Sequence, residues 1–166
     1  MSKKAVISTF LIILSGMMTL FGSCRRVDNV VYSEFANFDN EGWDPVCVLP
    51  FSPWPMDSVL NPADRFDLIL TLRYAPNHPS SEIPLEISEE DENGVFATNR
   101  LTVRLRDKNG KPRGRKSLYL YEISDTLRRD MQLSDGYVVN IATLSPPSNT
   151  QGLRNLGLTL ALTTSK

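Results

Sequence analysis

Past residue 24 the chain alternates apolar and polar positions with a period of two rather than 3.6. In "RFDLILTLRY", Phe66, Leu68, Leu70, Leu72 and Tyr74 share one face, and Asp67, Thr71 and Arg73 share the other. "RLTVRLR" repeats the pattern, with Leu101, Val103 and Leu105 facing in and Thr102, Arg104 and Arg106 facing out. "LGLTLALT" sets Leu156, Leu158, Leu160 and Leu162 against Gly157, Thr159, Ala161 and Thr163. The runs "VVYSEF", "VCVLPF", "IPLEIS", "SLYLYEI" and "YVVNIATL" predict further strands. Turn chemistry separates them. "DKNGKPRG" carries Asn109-Gly110, a pair that readily reaches positive φ, and "SDGY" and "PPSNTQG" behave alike. "APNHPSSE" is a Pro-rich loop. "SDTLRRDMQLSDG" stays open between two assignments: a helix, from Leu127 and Met131 four apart, or a short strand through Met131 and Leu133.

About eight short alternating strands with almost no helix predict an all-β domain over residues 30–166. The expected architecture is an antiparallel β-sandwich, jelly-roll-like, with a closed barrel as the alternative. A chain of 166 residues suits one such domain and can bury a core without metal or disulfide support. The formal net charge of −1 gives no electrostatic case for nucleic acid.

The first residues follow a different rule. "MSKK" is basic, and the 17 residues Ala5 to Phe21 are apolar, interrupted by Ser8, Thr9, Ser15 and Gly16. Gly22 and Ser23 follow, and then Cys24. A basic head, an apolar middle and a small-residue exit describe a secretory signal. The run lies at the lower edge of the length that spans a bilayer, and its polar interruptions count against a transmembrane helix. Small residues directly before a cysteine resemble a bacterial lipoprotein signal. That resemblance implies cleavage before Cys24, diacylglycerol on its thiol, and acylation (palmitate, for example) of the new amino terminus. Residues 1–23 are then a signal peptide and residues 24–29 a lipidated linker. Arg25 and Arg26 stand where some surface-exposed lipoproteins carry an acidic run, which points to an outer-membrane position facing the periplasm. With Cys24 acylated, Cys47 has no partner and is expected as a small buried apolar residue.

Candidate chemistry is sparse. His78, the only histidine, sits among prolines with no G-x-S-x-G elbow elsewhere, and a solvated loop residue is expected. One histidine and one free thiol do not make the usual zinc set. Glu89, Glu90, Asp91 and Glu92 lack the spacing of a calcium loop and predict a solvated hairpin tip. No catalytic residue, metal site or cofactor is therefore assigned. Trp43 and Trp54 are weak binding candidates, because exposed tryptophans on a sandwich stack against sugar rings. Burial is the commoner fate of the residue type. Arg113, Arg115 and Lys116 form a basic patch beside the Asn109-Gly110 turn that could meet an acidic partner or lipid headgroups, with a solvated hairpin end as the default.

Several motifs share one pattern. Val31 to Phe35 and then Trp43 make a short strand and a Trp soon after the anchor. Leu72-Arg73 closes a strand, "VRLRDKNGKPRG" supplies Asp107, Gly110 and Gly114, and "LSDGYVVNI" supplies Gly136 and Tyr137. "QGLRNLGLTLAL" ends the chain with Gly152-Leu153 and Asn155-Leu156-Gly157-Leu158. Through most of residues 30–163 this resembles the gliding-motility lipoprotein GldH family of the Bacteroidetes. Two loops depart from it: "APNHPSSE" replaces a tyrosine-rich stretch, and "ATLSPPSN" replaces a His and Met pair. The resemblance implies a non-enzymatic envelope lipoprotein, an accessory or scaffold component of a membrane-associated assembly. Relatives also occur in bacteria that do not glide. A carbohydrate-binding lipoprotein using Trp43 or Trp54 is the alternative.

Overall fold

The computed structural model describes residues 29–39, 41–53 and 63–163. Nine strands follow in chain order: β1 (Val30–Asn37), β2 (Leu49–Phe51), β3 (Phe66–Tyr74), β4 (Glu82–Asp91), β5 (Gly94–Arg104), β6 (Arg115–Ser117), β7 (Leu120–Met131), β8 (Val138–Thr143) and β9 (Leu153–Leu162). A single helical turn, α1 (Pro147–Thr150), precedes β9.

The strands form two antiparallel sheets, ordered β1-β9-β3-β7-β6 and β2-β8-β4-β5. Without the short β6, the chain weaves an eight-stranded double Greek key between the two layers, which is a jelly roll. The expected sandwich is therefore present, with one strand more than the eight anticipated.

Alternation explains the layers. Phe66, Leu68, Leu70, Leu72 and Tyr74 of β3 are all buried, and their register against β9 sets Leu68, Leu70 and Leu72 opposite Leu160, Leu158 and Leu156. Ile83, Leu85 and Ile87 of β4 and Val139 and Ile141 of β8 close the core from the second sheet. Each fully buried Leu or Ile contributes about 1.5–3 kcal/mol over an exposed one. Leu162, the last position of the inward set, is 36% exposed, so the face ends one residue pair early. Gly157 is a packing requirement: a Cβ there would lie 2.3 Å from the Phe35 ring, which runs flat across β9 with the Arg73 guanidinium 4.5 Å above it.

Three elements differ from expectation. "VCVLPF" keeps only Leu49–Phe51 as β2, and residues 46–48 lie outside the strand. "SLYLYEI" is not one strand: β6 ends at Ser117, Leu118 and Tyr119 turn, and β7 begins at Leu120, with Ser117 paired to Leu120. The open segment "SDTLRRDM" continues β7 to Met131 against β3. A spacing of four residues is also two strand repeats, so Leu127 and Met131 fall on one sheet face as readily as on a helix. Cys24, Trp54, the signal segment and all but Asn29 of the linker lie outside the described residues.

Candidate functional site

The sandwich has two ends. At one, β3 begins at Phe66 opposite Met131, β4 ends at Asp91, and the chain enters through Asn29, whose carbonyl accepts from the Leu162 N–H. At the other, β3 ends at Tyr74 opposite Tyr121 and β5 ends at Arg104.

The first end holds a buried charge. The alternation that sends Ile83, Leu85 and Ile87 inward also sends Glu89 inward, where it is 4% exposed rather than part of a solvated tip. A carboxylate there requires partners, and it has them. Arg128 of β7 approaches from the other sheet, its Nε 3.0 and 3.2 Å from the two oxygens and a second nitrogen 3.0 Å from Oε1. The buried Tyr137 hydroxyl donates to Oε2 at 2.7 Å. Burial first, and then the bond to Glu89, push the Tyr137 pKa upward, so the phenol stays protonated. Beside this trio a cleft of about 280 Å3 opens between β5 and β7, lined among others by Asn99, Arg100, Asp125 and Leu127. Held by a guanidinium from the facing sheet and by the phenol, the buried carboxylate makes the trio a clamp between the sheets.

The other end presents its charges outward. From Arg104 to Leu120 the chain crosses from β5 to the hairpin of β6 and β7. Its base is rigid. The buried Tyr74 hydroxyl lies 2.6 Å from the Leu105 carbonyl and 2.7 Å from that of Arg113, sharing one proton between them. The Arg106 guanidinium donates to the carbonyls of Gly110, Pro76 and His78. The Asp107 carboxylate accepts from the N–H groups of Asn109 and Lys111, which fixes the turn expected at Asn109-Gly110. Gly114, at φ +92°, passes so close to β7 that a Cβ would fall 2.2 Å from the Glu122 carbonyl oxygen. Arg115 and Arg73 share the Glu122 carboxylate, and the Arg73 bond, ahead of Arg115, holds its pKa below the usual range. Beyond this base the hairpin tip projects, with Leu118 86% and Tyr119 83% exposed. Arg113, Arg115 and Lys116 are exposed on the same arm, so the basic patch has an apolar tip that the sequence did not reveal. One signal was present: in "SLYLYEI" neither alternating face is polar, which a half-buried strand does not tolerate.

The remaining candidates are structural. Trp43 is 2% exposed; it stacks on Phe38 at 5.1 Å, its indole N–H donates to the Cys47 carbonyl, and its backbone N–H donates to the Thr150 hydroxyl. A ring so enclosed offers no face to a sugar. Cys47, expected in the core, is exposed, because it belongs to the Asp44–Cys47 turn before β2. His78, expected in solvent, is 2% exposed, edge-on to Tyr74, with Nδ1 accepting from the Ser80 N–H. Its Nε2 has no partner among the described residues, and burial pushes its pKa down. Among the described residues no group of three or more His, Cys, Asp or Glu could hold a metal ion, and no helix is long and apolar enough to cross a membrane.

No protein-family model matches the sequence, and no curated protein does. Among solved structures it is similar to the Tobacco streak virus coat protein dimer, at 11% identity over 87% of this chain and 92% of that one, with a TM-score of 0.31. A second crystal form of the same coat protein gives 12% identity, 87% and 94% coverage, and a TM-score of 0.30. At these values the topology above stands on its own strand order.

Proposed function

We propose that the protein is a lipid-anchored, non-enzymatic envelope lipoprotein that works by protein contact, as an accessory or scaffold component of a membrane-associated assembly. Acyl chains on Cys24 attach it to the membrane, and the "RRV" that follows, in place of an acidic run, supports the periplasmic side of the outer membrane. Each buried methylene adds about 0.8 kcal/mol, so two or three chains hold where one is marginal. The exit of the apolar run into "GSC" supports the anchor, and the motifs shared with gliding-motility lipoproteins support the assembly role. That likeness names a kind of protein; whether the assembly serves gliding or another envelope process is a separate matter.

One observation carries the contact role: a rigidly based arm displays two large apolar side chains at its tip, Leu118 and Tyr119. Exposed apolar groups rimmed by polar ones mark interaction sites. The carbohydrate alternative loses Trp43 to the core and rests on Trp54 alone.

Affinity capture of the full chain from detergent-solubilised envelopes tests the reading. A defined set of membrane-assembly proteins should be retained, and C24S should abolish fatty-acid labelling. Repeated recovery of no envelope protein overturns it.

A further inference from the structure

We propose that the arm formed by residues 104–120 docks onto an acidic protein surface, with Leu118 and Tyr119 seated in an apolar recess of that partner. This deepens the contact reading above. Seven of the chain's 18 Lys and Arg residues lie in this stretch against one acid, Asp107, although the whole chain has a net charge of −1. Arg106 and Asp107 are used internally, and Arg115 is paired with Glu122. Arg104, Lys108, Lys111, Arg113 and Lys116 are exposed. Charges at such a rim steer encounter and select partners of opposite sign, while apolar anchors at the centre resist dissociation.

The tip is not shaped by the needs of the fold. Two-residue hairpin turns favour Asn-Gly or Asp-Gly, yet this one carries Leu-Tyr, with Leu118 held at φ +38°. That region is an outlier for a bulky residue. Backbone strain retained at an exposed apolar residue points to a use outside the molecule.

A bilayer would also attract a basic arm, but two observations favour a protein. Leu118 and Tyr119 offer far less hydrocarbon than the single acyl chain that itself binds only marginally, whereas the 13 exposed residues of the arm supply about half of the 20–30 that one side of a stable interface uses. The arm also lies at the end opposite Asn29. Val30 pairs with Ala161 near Phe66, whereas Ser117 pairs with Leu120 beyond Tyr121. The 12 residues of β7 separate these ends by about 40 Å. In a molecule tethered at Cys24, which is the premise taken from the proposed function, the tip projects away from the anchoring leaflet.

The test is photo-crosslinking in living cells, with Tyr119 of the full chain replaced by p-benzoylphenylalanine. A protein adduct is expected whose crosslinked position maps to a segment rich in Asp and Glu. Its yield should fall at least tenfold in K111E/R113E/K116E and several-fold in L118S, with the thermal midpoint of both variants unchanged. Adducts only to phospholipid, adducts to a segment without acidic residues, yields indifferent to charge reversal, or no adduct each overturn the inference. Fatty-acid labelling at Cys24 is scored in the same cells. Labelled protein without an acidic adduct removes the arm's role and keeps the anchor, while an adduct from unlabelled protein does the reverse.

Discussion

Arg128 and Lys116 sit at opposite ends of one sandwich and show two uses of a cation. Arg128 spans the two sheets to reach a carboxylate that is almost wholly out of water and that the Tyr137 hydroxyl also bonds. Lys116 stands exposed on a three-residue edge strand beside an apolar tip. At the first end, chemistry is spent on holding the layers together. At the second, the fold secures the base of the arm through Tyr74, Arg106 and Gly114, and leaves the outer part free to meet something else. The proposed contact role and stability are thereby separated in space, and substitutions should separate them too.

The largest effect belongs to the core between the ends. Leu158 is fully buried opposite Leu70, so Leu158→Ala should cost about 2–5 kcal/mol in urea unfolding. A loss below about 1 kcal/mol would mean that this face is not the core. The clamp comes next and should be asymmetric. Arg128→Ala strands Glu89, only 5% exposed at its side chain, and should cost about 3 kcal/mol. Glu89→Ala frees an arginine that is already 42% exposed and can be rehydrated, so the loss should be smaller, about 1–2 kcal/mol. Equal losses would contradict the clamp.

His78 supplies a third, pH-dependent effect near the arm's base. Its folded pKa is pushed below 6.5 chiefly by burial; a backbone bond with Ser80 opposes the shift, and the Arg106 charge adds a smaller push downward. The unfolded chain thus takes up a proton that the folded ring refuses. Its contribution to stability is full above pH 6.5 and is lost progressively as the pH falls below it. The urea midpoint of the wild type should drop between pH 7.5 and pH 5.5, and His78→Asn should flatten that drop. A slope unchanged by the substitution would place the ring in solvent. The smallest effect is at the tip: Leu118→Ser should change stability by less than about 0.5 kcal/mol, because the side chain packs on nothing and its backbone is already strained.

Local pattern alone makes the layers legible in the sequence. The inward sets of β3 and β9 and the later part of β5 were written as alternation, and the Asn109-Gly110 turn as composition. What escaped was long-range. Glu89 belongs to an acidic run, and a solvated tip fits that composition; only its phase with Ile83, Leu85 and Ile87 marked it as inward. Its partners, 39 and 48 residues away, come from pairing that no local window contains. His78 and Cys47 misled in opposite directions for one reason. Loop burial depends on what folds over the loop, and the strap from Leu105 to Arg113 covers the 76–78 segment while nothing described covers the Asp44–Cys47 turn. The arm hid because an apolar hairpin tip looks, in sequence, like a buried strand.

The contrast between the ends acquires its proposed meaning from the tether, because the arm faces outward only if the chain is held near Asn29. Mass spectrometry of the amino-terminal peptide from membrane-extracted protein is the direct measurement. The account predicts a chain beginning at Cys24 and carrying the added mass of diacylglycerol and an amide-linked acyl group. An unmodified peptide beginning at Met1, recovered from soluble cytosolic protein, would contradict it.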